Sequence, residues 1–288
     1  MEKQKGSKIM VILWVVAVIA AIAAVPTVAI LTYDTGVVAL EPEAEPPEET
    51  APPDEQATEP PPEEPAYYPT PDIREFLHNN PVPPGFVADN AALPWSLTLL
   101  NRYNFLNEDF VVPEAVSVGD GHYFDSRAAA SLLEMLDAAR EEGLVPIIAS
   151  ATRSIERQRI LFENQIARNI EAGMNSEDAF EQARRVVAYP GSSEHNLGLG
   201  VDIVAYHYRN LTAAFGQTPE GIWLAQNAHN FGFVLRYPDH KQEITNIIYE
   251  PWHFRYVGAQ HSIFMFENDV VLEEYVFWRL HGYDEITP

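Results

Sequence analysis

From Ser126 onward the apolar and polar positions fall into blocks whose period names the elements. In RAAASLLEMLDAAREEG the Ala, Leu and Met residues recur at three- and four-residue spacing. That is the stripe of an amphipathic helix, with Ser126 as its N-cap and Gly143 as its stop. Leu144–Ala151 is a short continuous apolar run and reads as a buried strand. Ser154 opens a second helix that reaches about Ala172, and Asn175 or Ser176 opens a third that ends before Tyr189-Pro190-Gly191. Val201–Tyr206 reads as a strand, and Thr218-Pro219 is a cap followed by a first-turn proline, starting a helix that runs to about Asn230. Phe233–Tyr237 and most of Ile247–Val257 read as strands, and helices follow Gly258 and span Leu272–Leu280. Strands and helices mix without a regular βαβ repeat, which predicts an α+β fold.

The front of the chain has neither period. Ile9–Leu31 is apolar apart from Pro26 and Thr27, and Lys3, Lys5 and Lys8 precede it. A run of about 23 residues is long enough to cross a bilayer as a helix. The lysines orient residues 1–8 toward the cytoplasm and export the rest. The rival is a cleaved signal peptide, whose apolar core is usually shorter, about 7–15 residues. Glu41–Asp72 then carries eleven acidic residues, many prolines, and no Lys or Arg. Such a stretch cannot bury enough apolar surface to order itself, so it reads as a semi-stiff spacer. The expected organisation is a stub at 1–8, a single-pass anchor at 9–31, a spacer over 32–92 and a folded extracytoplasmic domain over 93–288, at the cell membrane.

The formal charge is −24, and the acidity is not confined to the spacer. A basic face for phosphate is missing, which argues against a nucleic-acid partner. There is no cysteine, so neither disulfides nor thiolate chemistry are available. No GxSxG elbow surrounds Ser192 or Ser193, which argues against a Ser-His hydrolase.

The candidate chemistry lies in two strings, SSEHNLGLGVDIV (Ser192–Val204) and IIYEPWHFRYVG (Ile247–Gly258). They supply His195, Asp202 and His253, with Glu250 three residues before the last. Two neutral imidazoles and a carboxylate make a three-ligand zinc site with an open fourth position, and a nearby carboxylate is a ready general base. Taken singly, each string has a plainer reading. The first is a Gly-rich structural loop; the second is a strand with Trp252 and Phe254 in the core and His253 as a hydrogen-bonded neighbour. Residues three apart on an ideal strand face opposite sides, so the zinc reading requires the backbone to bend near Pro251. The same donor set is also compatible with iron. His207, His229, His240 and His261 lack partner spacing and read as surface or satisfied polar residues.

Together the strings resemble the two zinc motifs, SxHxxGxAxD and ExxWH or ExWH, of the VanY-type D-alanyl-D-alanine carboxypeptidases, zinc peptidases related to the hedgehog/VanX fold. SATRSIERQ (Ser150–Gln158), FGFVLRYP (Phe231–Pro238), Trp223-Leu224 and VLEEYV (Val271–Val276) fit the same family, and the likeness runs from about Pro94 to the end. It implies a small antiparallel sheet flanked by helices, with zinc in a cleft on the sheet. It further implies His195, Asp202 and His253 as ligands, Glu250 as catalytic base, Arg153 as the arginine on the substrate or oxyanion, and Gln158 and Ser193 as substrate contacts. Three positions depart from the family pattern: Thr152 replaces an aromatic, Gly200 replaces the small residue of the first motif, and Asn246 stands where a glycine is common.

The expected function is therefore zinc-dependent release of the terminal D-alanine from peptidoglycan stem peptides. Two alternatives stay open: an L,D-carboxypeptidase or endopeptidase on the same peptides, and a non-hydrolytic zinc-bearing wall-binding module.

Overall fold

The structure is a computed structural model and describes residues 72–282. The anchor expected over 9–31 lies outside them. Among the described residues, no helix is long and apolar enough to cross a membrane.

The folded part begins earlier than expected. Asp72 caps helix α1 (Ile73–Asn79) by accepting from the Arg74 amide at 2.8 Å. Ile73 and Phe76, one turn apart, are buried in an apolar cluster with Leu272 and Val276 of the final helix. The spacer expected over 32–92 therefore ends at least twenty residues too late, because an i, i+3 apolar pair there has a surface to bury against.

The remaining elements follow in chain order. A hairpin, β1 (Ala115–Gly119) and β2 (His122–Asp125), leads into α2 (Ser126–Glu141). Then come β3 (Pro146–Ser150), α3 (Ile155–Glu171), α4 (Ser176–Val186), the single turn α5 (Glu194–Leu197) and β4 (Gly200–Ala205). The chain closes with α6 (Pro219–Asn227), β5 (Phe233–Leu235), α7 (Gln242–Thr245), β6 (His253–Tyr256), α8 (Ala259–Asn268) and α9 (Leu272–His281). The main sheet has the order β3-β4-β6-β5, and every pairing is antiparallel. This is the expected α+β architecture.

Local chemistry explains the boundaries. Asp125, not Ser126, caps α2, through its carboxylate on the Arg127 amide at 3.0 Å. Ser154, Asn175 and Thr218 cap α3, α4 and α6 as the sequence suggests. β3 is only half-buried, because it is an edge strand. The long strand expected over 247–257 shrinks to β6: a turn closed by the His253 amide on the Glu250 carbonyl (3.1 Å) precedes it. Pro251 inside that turn cannot donate to a ladder. The β1–β2 hairpin has no counterpart in the sequence reading, since its residues lack a clean two-residue alternation.

The sheet has two unlike faces. Val201, Ile203 and Phe254 point into the main apolar core with Leu132 and Leu136 of α2. Phe254 is fully buried, and truncating such a side chain costs about 3–5 kcal/mol. Asp202, His253 and Arg255 alternate with these and lie on the other face. The core thus fixes the register that aligns the polar side chains.

Candidate metal centre and active-site cleft

Asp202 and His253 are direct cross-strand partners in the β4–β6 ladder. Such partners place their Cβ atoms about 4.5–5.5 Å apart on one face. Ser150 on β3 is the partner of Asp202 on the other side. His195 arrives from α5, which Gly198 ends in the left-handed conformation (φ 80°). A Cβ on Gly198 would lie 2.9 Å from the Val112 side chain, so glycine is required there on two counts. At Gly200 a Cβ would lie 3.1 Å from backbone atoms of Glu194 and His195, so an alanine there needs that backbone to give by a few tenths of an ångström. Asn246 takes the left-handed conformation (φ 59°) that ends α7, and asparagine tolerates it best after glycine.

His195, Asp202 and His253 each offer a ligand atom, all within 4.8 Å of one another, and all three are buried. His195 Nε2 lies 3.2 Å from Asp202 Oδ2, and His253 Nδ1 lies 2.9 Å from Asp202 Oδ1. Ligand atoms about 2.0 Å from a tetrahedral metal are about 3.3 Å apart, so the cluster has the span of a zinc shell. The outward ring nitrogens are already engaged. His195 Nδ1 donates to the Ala151 carbonyl (2.7 Å), leaving the Nε2 lone pair for a metal. His253 Nε2 lies 3.2 Å from Glu194 Oε2, an acceptor only, so Nδ1 is left for a metal. A second hydrogen bond that fixes the tautomer is the usual partner of a metal-bound histidine. The donor set fits a divalent cation.

These buried charges also set one another. Burial holds His195 low, which favours the neutral ring a ligand must be. Burial works against the charged form of His253 too, but its hydrogen bonds to Asp202 and Glu194 outweigh that and push it up to about 9. Asp202 is buried, yet the His195 and His253 rings hold it well below the usual carboxylate range.

Glu250 lines a cavity of about 410 Å³ that opens onto the three ligands. Burial pushes its carboxyl up to about 8, with Asp202 and Glu194 adding to the rise and His253 and Arg153 opposing it. Arg153 donates to Gln158 Oε1 (2.7 Å) and Ser150 Oγ (2.9 Å), and its guanidinium lies 3.5 Å from Asp202 Oδ2. Its amide also donates to the His195 carbonyl at 2.9 Å, so one loop residue ties the arginine to a ligand. Gln158 is almost fully buried, and its amide donates to the Ala188 carbonyl at 2.7 Å. It holds Arg153 as well as lining the cavity. Ser193 is buried, lines the cavity and precedes α5. The structure thus gathers all seven candidate residues around one cavity. Thr152 does not line it; its amide donates to the Tyr123 carbonyl and its hydroxyl is buried without a partner.

Sequence reasoning missed what stands behind His253. Glu194 Oε1 accepts from Arg236 (2.7 Å) and Arg255 (2.9 Å). Arg236 also makes a two-point contact with Glu273 on α9 (2.7 and 2.9 Å). Arg255 reaches the carbonyls of Ser96 and Thr98, each at 2.9 Å. Burial would raise Glu194, but the two arginines hold it well below the usual carboxylate range. A signal was present: Arg255 is two residues after His253, on the same strand face. Of the other histidines, His261 bonds the Tyr275 hydroxyl (2.8 Å), His240 pairs with Asp269 (2.9 Å), His207 is exposed, and His229 stacks on Phe266.

The family model described as VanY, D-alanyl-D-alanine carboxypeptidase, matches residues 121–259. A D-alanyl-D-alanine carboxypeptidase of Enterococcus faecalis (strain ATCC 700802 / V583) is 38% identical over 182 residues, 63% of this chain and 66% of that protein. The chain thus matches just under two thirds of that relative's length. VanYB in complex with D-alanine-D-alanine is 38% identical with TM-score 0.59, covering 64% of this chain and 98% of that one. A VanY mutant from a VanB-type resistance cassette, in complex with Zn(II), is 38% identical with TM-score 0.58, covering 64% and 99%. The LD-carboxypeptidase LdcB is 35% identical with TM-score 0.54, covering 62% and 83%. With the fold, the ligand spacing and these similarities in agreement, the chain belongs to the VanY family of D-alanyl-D-alanine carboxypeptidases.

Proposed function

We propose that the protein is a zinc-dependent D,D-carboxypeptidase that releases the terminal D-alanine from peptidoglycan stem peptides. The observation that carries this reading is the convergence of His195, Asp202 and His253 beside Glu250 and Arg153 in one cavity. Two relatives support the ligands of the reaction: one is solved with Zn(II), another with D-alanine-D-alanine.

Zinc would be held by His195 Nε2, Asp202 and His253 Nδ1, and when bound supplies Lewis-acid polarisation and acidifies water at the site. Glu250 takes the proton from the attacking water as general base and returns it to the leaving amine as general acid. Burial pushes this carboxyl up to about 8, and a cation held by the three ligands would lower it, favouring the ionised form that can accept the proton. Arg153, held by Gln158 and Ser150, is aimed to meet the substrate's terminal carboxylate or the oxyanion. Ser193 offers a hydroxyl on the same wall. The base argues against a module that binds wall without hydrolysis, because a pure binder has no use for Glu250.

The similarity to LdcB favours one second reading, cleavage of an L,D bond in the tetrapeptide. Synthetic tetra- and pentapeptides followed by mass spectrometry, with metal content measured on the same sample, decide between them. The D,D reading expects one D-alanine from the pentapeptide and none from the tetrapeptide. Release from the tetrapeptide alone would establish the other. We place the enzyme outside the membrane: the apolar run Ile9–Leu31 behind three lysines and the acidic proline-rich stretch that follows support a tethered exported domain.

A further inference from the structure

The cavity does not end at the catalytic groups. It continues along α3, where Gln158, Leu161, Gln165 and Arg168 fall on one stripe, and its opposite wall includes Val187 and Ile248. A terminal alanine and its carboxylate fill only the end beside Arg153. The remaining length must then hold what precedes the scissile bond. From Gln158, which touches Arg153, to Arg168 is ten helical residues, about 15 Å. Helical side chains lean toward the N-terminus, so the Arg168 guanidinium reaches back to roughly 10 Å from that end. An extended peptide covers this in about three residues at roughly 3.3–3.6 Å each.

The far end has the character of an anion site. Asn164 and Arg168 are one turn apart, both line the cavity and both are exposed, so an amide and a guanidinium stand side by side at that end. Among the described residues no carboxylate pairs with Arg168; Arg157, Arg185 and Arg209 also lack one but do not line the cavity, whereas Arg153, which does, is paired with Asp202. Unpaired cationic reach toward a cleft is unexpected in a chain of net charge −24.

Building on the carboxypeptidase reading, we propose that Arg168, with Asn164, is a specificity-determining residue that binds a second free carboxylate two to four residues upstream of the substrate's terminal carboxylate. Stem pentapeptides offer this group from two sources. One is the α-carboxylate of a γ-linked glutamate three residues before the end. The other is the side-chain carboxylate of a diaminopimelate two residues before it.

The test compares the zinc-loaded full chain with Arg168→Gln and Arg168→Glu on four substrates. These are a pentapeptide with both carboxylates free, one amidated only at glutamate, one amidated only at diaminopimelate, and an N-acyl D-alanyl-D-alanine dipeptide lacking both. The wild type should lose about tenfold in kcat/KM, mostly through KM, when the recognised carboxylate is amidated, and the amidation that matters names the source. Arg168→Gln should lose the same factor on the free-acid peptide and no longer distinguish the amidated one. Arg168→Glu should prefer the amidated peptide, and neither variant should change dipeptide turnover. Discrimination that survives in Arg168→Gln, indifference of the wild type to both amidations, or an equal loss on the dipeptide overturns the proposal. Dipeptide turnover by the wild type keeps that outcome separate from failure of the carboxypeptidase reading, which would show as no D-alanine release from any substrate.

Discussion

Two groups of buried charges meet at His253, and they are built on opposite terms. On the cavity side stand Asp202, Glu250 and Arg153, where Glu250 is pushed up to about 8 by burial and the three candidate ligand atoms lie within 4.8 Å of one another. Behind the ring stand Glu194, Arg236, Arg255 and Glu273, sealed from solvent, two acids against two arginines, with direct hydrogen bonds between them. The first group faces the cavity. The second is complete in itself. A protein tolerates strained electrostatics at a site when a balanced network next to it fixes the geometry, and His253 is the side chain through which one supports the other.

The comparison breaks most sharply at Glu250. Glu250→Ala removes the proposed proton carrier but no ligand, so kcat should fall by about 10²–10⁴ while zinc content and thermal unfolding stay near wild type. Unchanged turnover would remove Glu250 from the mechanism; lost zinc would make it a ligand instead. The sealed side should respond in stability first. Arg236→Met leaves Glu194 and Glu273 short of a partner in a dry site, a loss of about 3–5 kcal/mol by urea unfolding. Arg153→Met, on the open side, should cost much less stability and far more activity. If the two arginine variants lose stability equally, the distinction between an open and a sealed group fails.

Glu194 is the joint and should show a smaller, mixed effect. Glu194→Gln keeps an acceptor for His253 Nε2 but removes the anion that the arginines and the ring share. Zinc affinity, read by chelator competition on the folded protein, should drop by about 10–100-fold. Affinity equal to wild type would reduce Glu194 to a purely structural ion-pair member.

The two groups also differ in how far the sequence disclosed them. His195, Asp202, His253 and Glu250 sit in strings whose spacing is dictated by metal chemistry, and a ligand set leaves the same residue types wherever it occurs. Glu194 and Arg255 sit in the same strings and Arg236 in FGFVLRYP, yet a salt bridge sets no spacing, and a charged residue in an apolar strand is as easily read as an exposed one. Burial of both partners at once is a tertiary fact. The fold behaves alike: helices with Ser154, Asn175 and Thr218 caps were legible because a cap acts locally. The early start at Ile73 and the shortening of the last strand were not, since one depends on a helix some two hundred residues away and the other on a turn around Pro251.

The dependence on pH ties the two groups together by sign. In the metal-free centre His253 is held at about 9 by Asp202 and Glu194, so below that pH its Nδ1 carries a proton that a cation must displace. Apparent zinc affinity should therefore rise by at least about tenfold per pH unit through the neutral range and level off above about 9. Glu250, protonated below about 8, steepens the rise wherever the cation drives off its proton too. The same His253 proton stabilises the metal-free fold. Its contribution is complete below the ordinary histidine value of 6.5 and is lost as pH rises through 9, so the metal-free domain should weaken where zinc binds best. Competition titrations from pH 6 to 9, corrected for the chelator's own protonation, read the first effect, and urea midpoints of the metal-free protein read the second. Glu194→Gln weakens the hold on the His253 proton, so it should move both breaks to lower pH together. Breaks that move apart, or a pH-independent affinity, would mean that the sealed network does not reach the metal through that imidazole.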